Sequence, residues 1–230
     1  MAANSRFQTF LAGGLAIAVG IAILTLSVPR TIAAFIGLPA DPIQGRLHRG
    51  EEVTSEQLNK LIENRTAMLR WIENRSVYTD IGVAQRLLAK EVGYETTEGE
   101  AFLRLAEENI VNGLQLGPAD AITWNLLGFI RSIRHGPSEG AAKALRTSIL
   151  LGRYDRRLWK DRLRYCFYNW RHFDEEGRDI VLAQVRLVWD HKAHQVLEAA
   201  REQKSVWIVR LALAKQPDDL NKLREMMKKS

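Results

Sequence analysis

The sequence predicts an all-α chain in two parts. Thr9 to Val28 reads as 20 consecutive residues without a charge. Beyond residue 53, apolar residues recur at the three- and four-residue steps of helices with one buried face. No stretch alternates apolar and polar residues long enough for a sheet, and 16 Gly and 6 Pro in 230 residues leave few turns for an all-β fold.

Residues 1–8 form a short tail that contains Arg6. Residues 9–28 are expected to be a transmembrane anchor, because 20 helical residues span roughly 30 Å, the thickness of a bilayer's hydrocarbon core. Gly13, Gly14 and Gly20 are tolerated in membrane helices. Ala12, Ala16 and Gly20 give a small-xxx-small spacing. A cleaved signal peptide would have a shorter apolar run and an A-x-A-like site, and neither is present. Arg6 lies on one side of the span, and Arg30, Arg46, Arg49 and Asp41 on the other, so positive charge alone does not orient it. The short leading tail suits an N-in signal anchor with the bulk of the chain exported.

Residues 29–53, punctuated by Pro39, Pro42, Gly45 and Gly50, are expected to be a connector. Residues 54–230 are expected to be one helical domain. It opens with a capping box at Thr54 and Gln57, followed by Leu58, Leu61, Ile62, Leu69 and Ile72 on one stripe. Further helices are predicted near 78–92, 100–116, 120–134, 138–151, 155–171, 175–191, 193–203, 205–215 and 218–228. The breaks fall at Gly93, Gly117-Pro118, Gly136-Pro137, Gly152, Gly177 and Pro217.

Spacing within these helices carries more information. Ala106, Ile110, Gly113 and Pro118 are followed by Trp124, Leu127 and Gly128. This resembles the tetratricopeptide repeat (TPR), in which a small residue lets two helices approach and a Pro closes the pair. Ala141, Leu145 and Ser148 repeat the four-three step, and Trp159 opens another unit with Leu163 in place of Gly. Tyr78, Ile81 and Gly82 echo the opening upstream. The resemblance covers 76–172 and implies an α-solenoid of antiparallel helical pairs with a concave groove. With the anchor, the layout resembles bacterial inner-membrane proteins that carry a periplasmic TPR-like domain, several of which accompany exopolysaccharide or O-antigen assembly and export. The resemblance implies a non-catalytic scaffold that binds a protein partner at the membrane.

The formal net charge of +6 favours anionic partners. Between residues 153 and 173 seven basic residues oppose two aspartates, and seven of the chain's 18 aromatics interleave with them. Such a segment can bind an acidic polysaccharide, or nucleic acid if the domain is cytoplasmic. It can equally be packed core, covered by the aliphatic stems of arginines. The candidate partner- or anion-binding residues are Arg131, Arg153, Arg157, Arg164 and Trp170.

No catalytic residue, metal ligand or cofactor site is expected. His191 and His194 lack a third ligand and no HExxH occurs. His172 beside Asp174 is not a dyad. Cys166 is expected to be a small core residue. Walker, dinucleotide-binding and GxSxG motifs are absent from the sequence.

Overall fold

The computed structural model describes residues 2–228, with side chains from Gly13 onward. Met1, Lys229 and Ser230 lie outside the described residues. So do the side chains of the 1–8 tail, including Arg6, and those of residues 9–12 in the expected anchor. Among the described residues every regular element is helical. The chain forms two compact units, Met1–Ala84 and Gln85–Ser230.

In the first unit, α1 (Ala2–Gly37) runs through the expected anchor and on past Pro29. Pro29 removes one N–H from the helical ladder but does not end the helix, because the following turns pack against α3 (Ser55–Leu69) and bury Ala33. α1 is long and apolar enough to cross a membrane. Its Leu15, Ile17, Val19, Ile21, Leu24 and Leu26 are all exposed.

The expected connector is helical as well. A 3₁₀ turn (Leu38–Ala40) leads into α2 (Asp41–Arg49). Pro39 and Pro42 are the second residues of these elements, in the first turn, where an N–H has no intrahelical partner to lose, so they start helices instead of breaking them. Gly50, at φ 72°, ends α2 in the left-handed region.

The capping box forms as expected, with Thr54 accepting from the Gln57 N–H and Gln57 from the Thr54 N–H. Leu58 and Leu61 of α3 are buried. Arg65, only 4 % exposed, is the hub of the first unit. It donates to Asp41 (2.9 Å) and Gln44 of α2, to Asp80 (3.2 Å), and to the Gly37 carbonyl at the end of α1. Asp80 lies on α4 (Arg75–Val92), within which the two units divide. α3 and the first part of α4 thus belong to the first unit, and the chain from Gln85 to the second. The core of α3 closes on α1 and α2, around an arginine that has no apolar signature in sequence.

The second unit continues with α5 (Thr97–Leu116), α6 (Ala121–His135), α7 (Glu139–Gly152), α8 (Trp159–Tyr168), α9 (Glu175–Glu202), α10 (Val206–Ala212) and α11 (Pro217–Lys228). Thr96, Asp120, Ser138 and Asp174 cap α5, α6, α7 and α9 with their side-chain oxygens. The expected helix over 155–171 is shorter, because a turn precedes α8 and a 3₁₀ turn (Trp170–His172) follows it.

Consecutive helices pack together from α5 to α10, and α6 also touches α8, as α7 touches α9. α6 and α7 are antiparallel, since Ala121 meets Ser148 while Arg131 meets Gly140. α9 bends at Lys192 (φ −148°, ψ 55°), where the sequence predicts a helix boundary. Before the bend it runs antiparallel to α8, with Arg178 against Trp170 and His191 against Trp159. After the bend it runs in the same sense as α8, with Glu198 on Lys160 and Glu202 on Arg164.

One packing register recurs. Ala106, Ile110 and Gly113 of α5 are buried, and so are Ala141, Leu145 and Ser148 of α7 and Val181, Val185 and Val188 of α9. Each set steps by four and then three. The Trp124 indole N–H donates to the Pro118 carbonyl at 2.7 Å, and the Trp159 indole N–H to the Arg153 carbonyl at 3.0 Å. Both tryptophans thus pin the loop six residues before them. Gly128 lets α6 approach α7, for a Cβ there would come within 2.6 Å of Leu145 Cγ.

Candidate functional site

The expected site residues do not converge. Arg131 is a brace inside the second unit, donating to Glu107 of α5 (2.8 Å) and to the Gly140 carbonyl of α7. Arg134 donates to the same glutamate at 2.6 Å. Burial raises the Glu107 pKa, but hydrogen bonds and charge from Arg131 and Arg134 outweigh it and leave the carboxyl below its usual range. Arg157 grips Asp155 at 2.8 Å and lowers that carboxyl's pKa. Arg164 pairs with Asp161 (2.9 Å) and Glu202 (3.3 Å) and lies over the Tyr165 ring. Arg153 offers its carbonyl to Trp159 and Gln184.

Much of the 153–173 segment is core. Trp159, Leu163, Cys166, Phe167, Trp170 and Phe173 belong to the main apolar cluster with Val181, Val185 and Trp189. Burial pushes the Cys166 thiol up to about 12, so it stays protonated, as expected of a core cysteine. Arg162 is fully buried, donates to the Gly152 carbonyl, and leaves Nε and Nη2 without a hydrogen bond. Burial lowers its pKa. Asn169, also fully buried, donates to Ser132 Oγ and the Tyr165 carbonyl and accepts from the Ser138 N–H. It ties the end of α8 to α6 and to the start of α7.

Trp170 leads to a surface cleft of about 440 Å³. Phe167, Tyr168, Trp170, Arg171 and His172 form one wall, Gln203 to Ser205 and Trp207 the other, and Pro137 the rim. Trp170 itself is buried and supports the exposed Trp207 in an edge-to-face contact at 5.8 Å. Tyr168 and Trp207, 41 % and 52 % exposed, supply the open rings.

Charge distinguishes this cleft from its neighbour. A smaller one, about 250 Å³, is lined by Glu139, Lys143, Arg146, His172 and Asp174. There Arg146 pairs with Asp174 and Glu176, and Lys143 with Glu139. The larger cleft is lined by no carboxylate. Among the described residues no acidic partner meets Arg171 or Lys204.

Lys204 also has an unusual backbone. The Ser205 N–H bonds to the Ala200 carbonyl and the Lys204 N–H to the Arg201 carbonyl. This is the Schellman closure of α9, and it puts Lys204 at φ 51° where glycine is usual. A side chain in that conformation costs roughly 1–2 kcal/mol. Only Trp170 among the expected site residues borders this cleft. Lys204 and Trp207 carry no motif, and they reach it only because α9 turns back at Lys192.

No group of three or more His, Cys, Asp or Glu able to hold a metal occurs among the described residues. His191 bonds its Nδ1 to the Leu187 carbonyl and faces Trp159. Comparison with protein-family models, curated proteins and solved structures finds no match to this chain.

Proposed function

We propose that the protein is a membrane-tethered, non-catalytic adaptor whose helical pairs form a TPR-like solenoid and capture an acidic segment of a protein partner. The carboxylate-free cleft of Tyr168, Arg171, Lys204 and Trp207 carries this reading. Two uncompensated cations beside two open rings attract an anionic chain and give it apolar faces to lie on. The backbone strain at Lys204 agrees, because strained residues persist where function repays the cost. The recurring four-three register and the paired tryptophan anchors support the TPR-like solenoid. The uncovered apolar length of α1 supports the tether.

In this reading the bulk of the chain is exported to the periplasmic face of a bacterial inner membrane, and the process served is exopolysaccharide or O-antigen assembly. The second reading is direct binding of an acidic polysaccharide, favoured by the exposed Tyr168 and Trp207 rings. Both are tested by titrating the full chain in nanodiscs with a glutamate-rich peptide and with an oligogalacturonate. Salt-sensitive binding of the peptide, abolished by Arg171→Glu, is expected. Lys204→Gly should weaken binding while stabilising the fold by about 1 kcal/mol, through relief of the left-handed strain. Binding of the oligogalacturonate alone selects the second reading, and binding of neither ends both.

A further inference from the structure

The cleft lies at the end of the second unit where α7 begins. The end where α7 finishes has a different character. Leu150 and Leu151 are 58 % and 46 % exposed, and Tyr154 is 72 % exposed. Ile122, also exposed, adjoins them, because Ser148 Oγ bonds to the Ala121 carbonyl and Gly152 lies against the Ala121 side chain. Arg153, Arg156 and Arg157 interleave with these apolar groups. Asp155 is gripped by Arg157, and Asp120 caps α6. Arg156 lies over the Trp159 ring, and neither it nor the Arg153 guanidinium meets a carboxylate among the described residues. Arg131, Arg134, Arg146 and Arg164 elsewhere in this unit are all ion-paired.

We propose that this end of the second unit docks on the headgroup layer of an anionic bilayer. Leu150, Leu151 and Tyr154 enter the boundary with the acyl chains, and Arg153 and Arg156 pair with lipid phosphates. Two observations select a bilayer over a protein. The apolar groups are fringed by unpaired arginines, the pattern that anionic interfaces attract. In addition, α1 presents an apolar length that hydrocarbon covers, which holds a bilayer at high effective concentration. The second argument rests on the tethered reading above. Tyr154 suits the role, since its ring can lie among acyl chains while its hydroxyl stays wet.

The test uses the full chain in nanodiscs containing anionic lipid and headgroup nitroxide lipid. A fluorophore is attached at Ala119→Cys, beside the patch, or at Glu139→Cys, at the opposite end of α7. Cys166 is buried and does not compete for label. Quenching is expected at position 119 and not at 139. It should fall in neutral lipid, and drop to the 139 level in the Leu150→Ser, Arg153→Glu, Arg156→Glu variant. Equal quenching at both positions, or none at 119 in discs that the chain has entered, overturns the docking and leaves the tether standing. Failure of the chain to enter the discs overturns both.

Discussion

Glu107 shows what a single carboxylate contributes. It joins Arg131 and Arg134 of α6 to α5, and their combined effect holds its pKa below the usual range despite burial. A lowered folded-state pKa means that the ionised group stabilises the fold. That contribution is complete above the ordinary glutamate value, about 4.3, and disappears as pH falls through the lowered one. Glu107→Gln should therefore be clearly less stable than the native chain at neutral pH, and the gap should close towards acid. Urea unfolding of both proteins across that range measures it, and a pH-independent gap would contradict the assignment. The two buried arginines differ in the same terms. Arg65 is held by two carboxylates, whereas Arg162 has a single carbonyl.

Helix pairs depend on where small residues fall. A Cβ at Gly128 would sit 2.6 Å and 2.8 Å from two atoms of Leu145, a fully buried side chain with no room to retreat. Alanine gains about 1 kcal/mol in helix propensity, while overpacking a core costs about 1–3 kcal/mol. Gly128→Ala should therefore lower the midpoint of chemical unfolding in the native chain, whereas in a Leu145→Ala background, already weakened by its own cavity, the same change should cost nothing further because the collision is gone. If Gly128→Ala alone stabilises the protein, the close approach of α6 and α7 is wrong. At this scale the sequence was highly legible. The Thr54–Gln57 box, the Asp174 cap and the boundary at Lys192 all follow from local chemistry, as does the four-three step. Residues 29–53 read as a connector because proline punctuates a chain both when it breaks a helix and when it begins one, as Pro39 and Pro42 do, and only the packing of α1 on α3 decides between the two. The cleft was hidden for a related reason. Arg171 was visible as one of many arginines, but Lys204 and Trp207 join it through a reversal of α9 that has no signature in spacing.

The whole chain pairs one apolar helix with helices of ordinary amphipathic character, so its behaviour should be divided. The apolar side chains of α1 between Gly13 and Val28 find no cover within the protein. The chain should remain with membranes through alkaline carbonate extraction, and Ile17→Lys with Leu24→Lys should release it, since each central lysine costs about 2.5–3.5 kcal/mol in a spanning helix. A reporter fused after Ser230 that is active on only one side of the membrane should read out an exported domain. A cytoplasmic signal would remove the envelope reading and leave anionic lipid, nucleic acid or a cytosolic protein for the basic surfaces. The hub at Arg65 gives α1 a mechanical character. One side chain fastens the last carbonyl of α1, two groups of α2 and a carboxylate of α4, so the apolar helix meets its first folded unit without a swivel. A twist or sideways pull on α1 is delivered to α3 as torque instead of being absorbed by slack chain, and α1 works as a stiff axle.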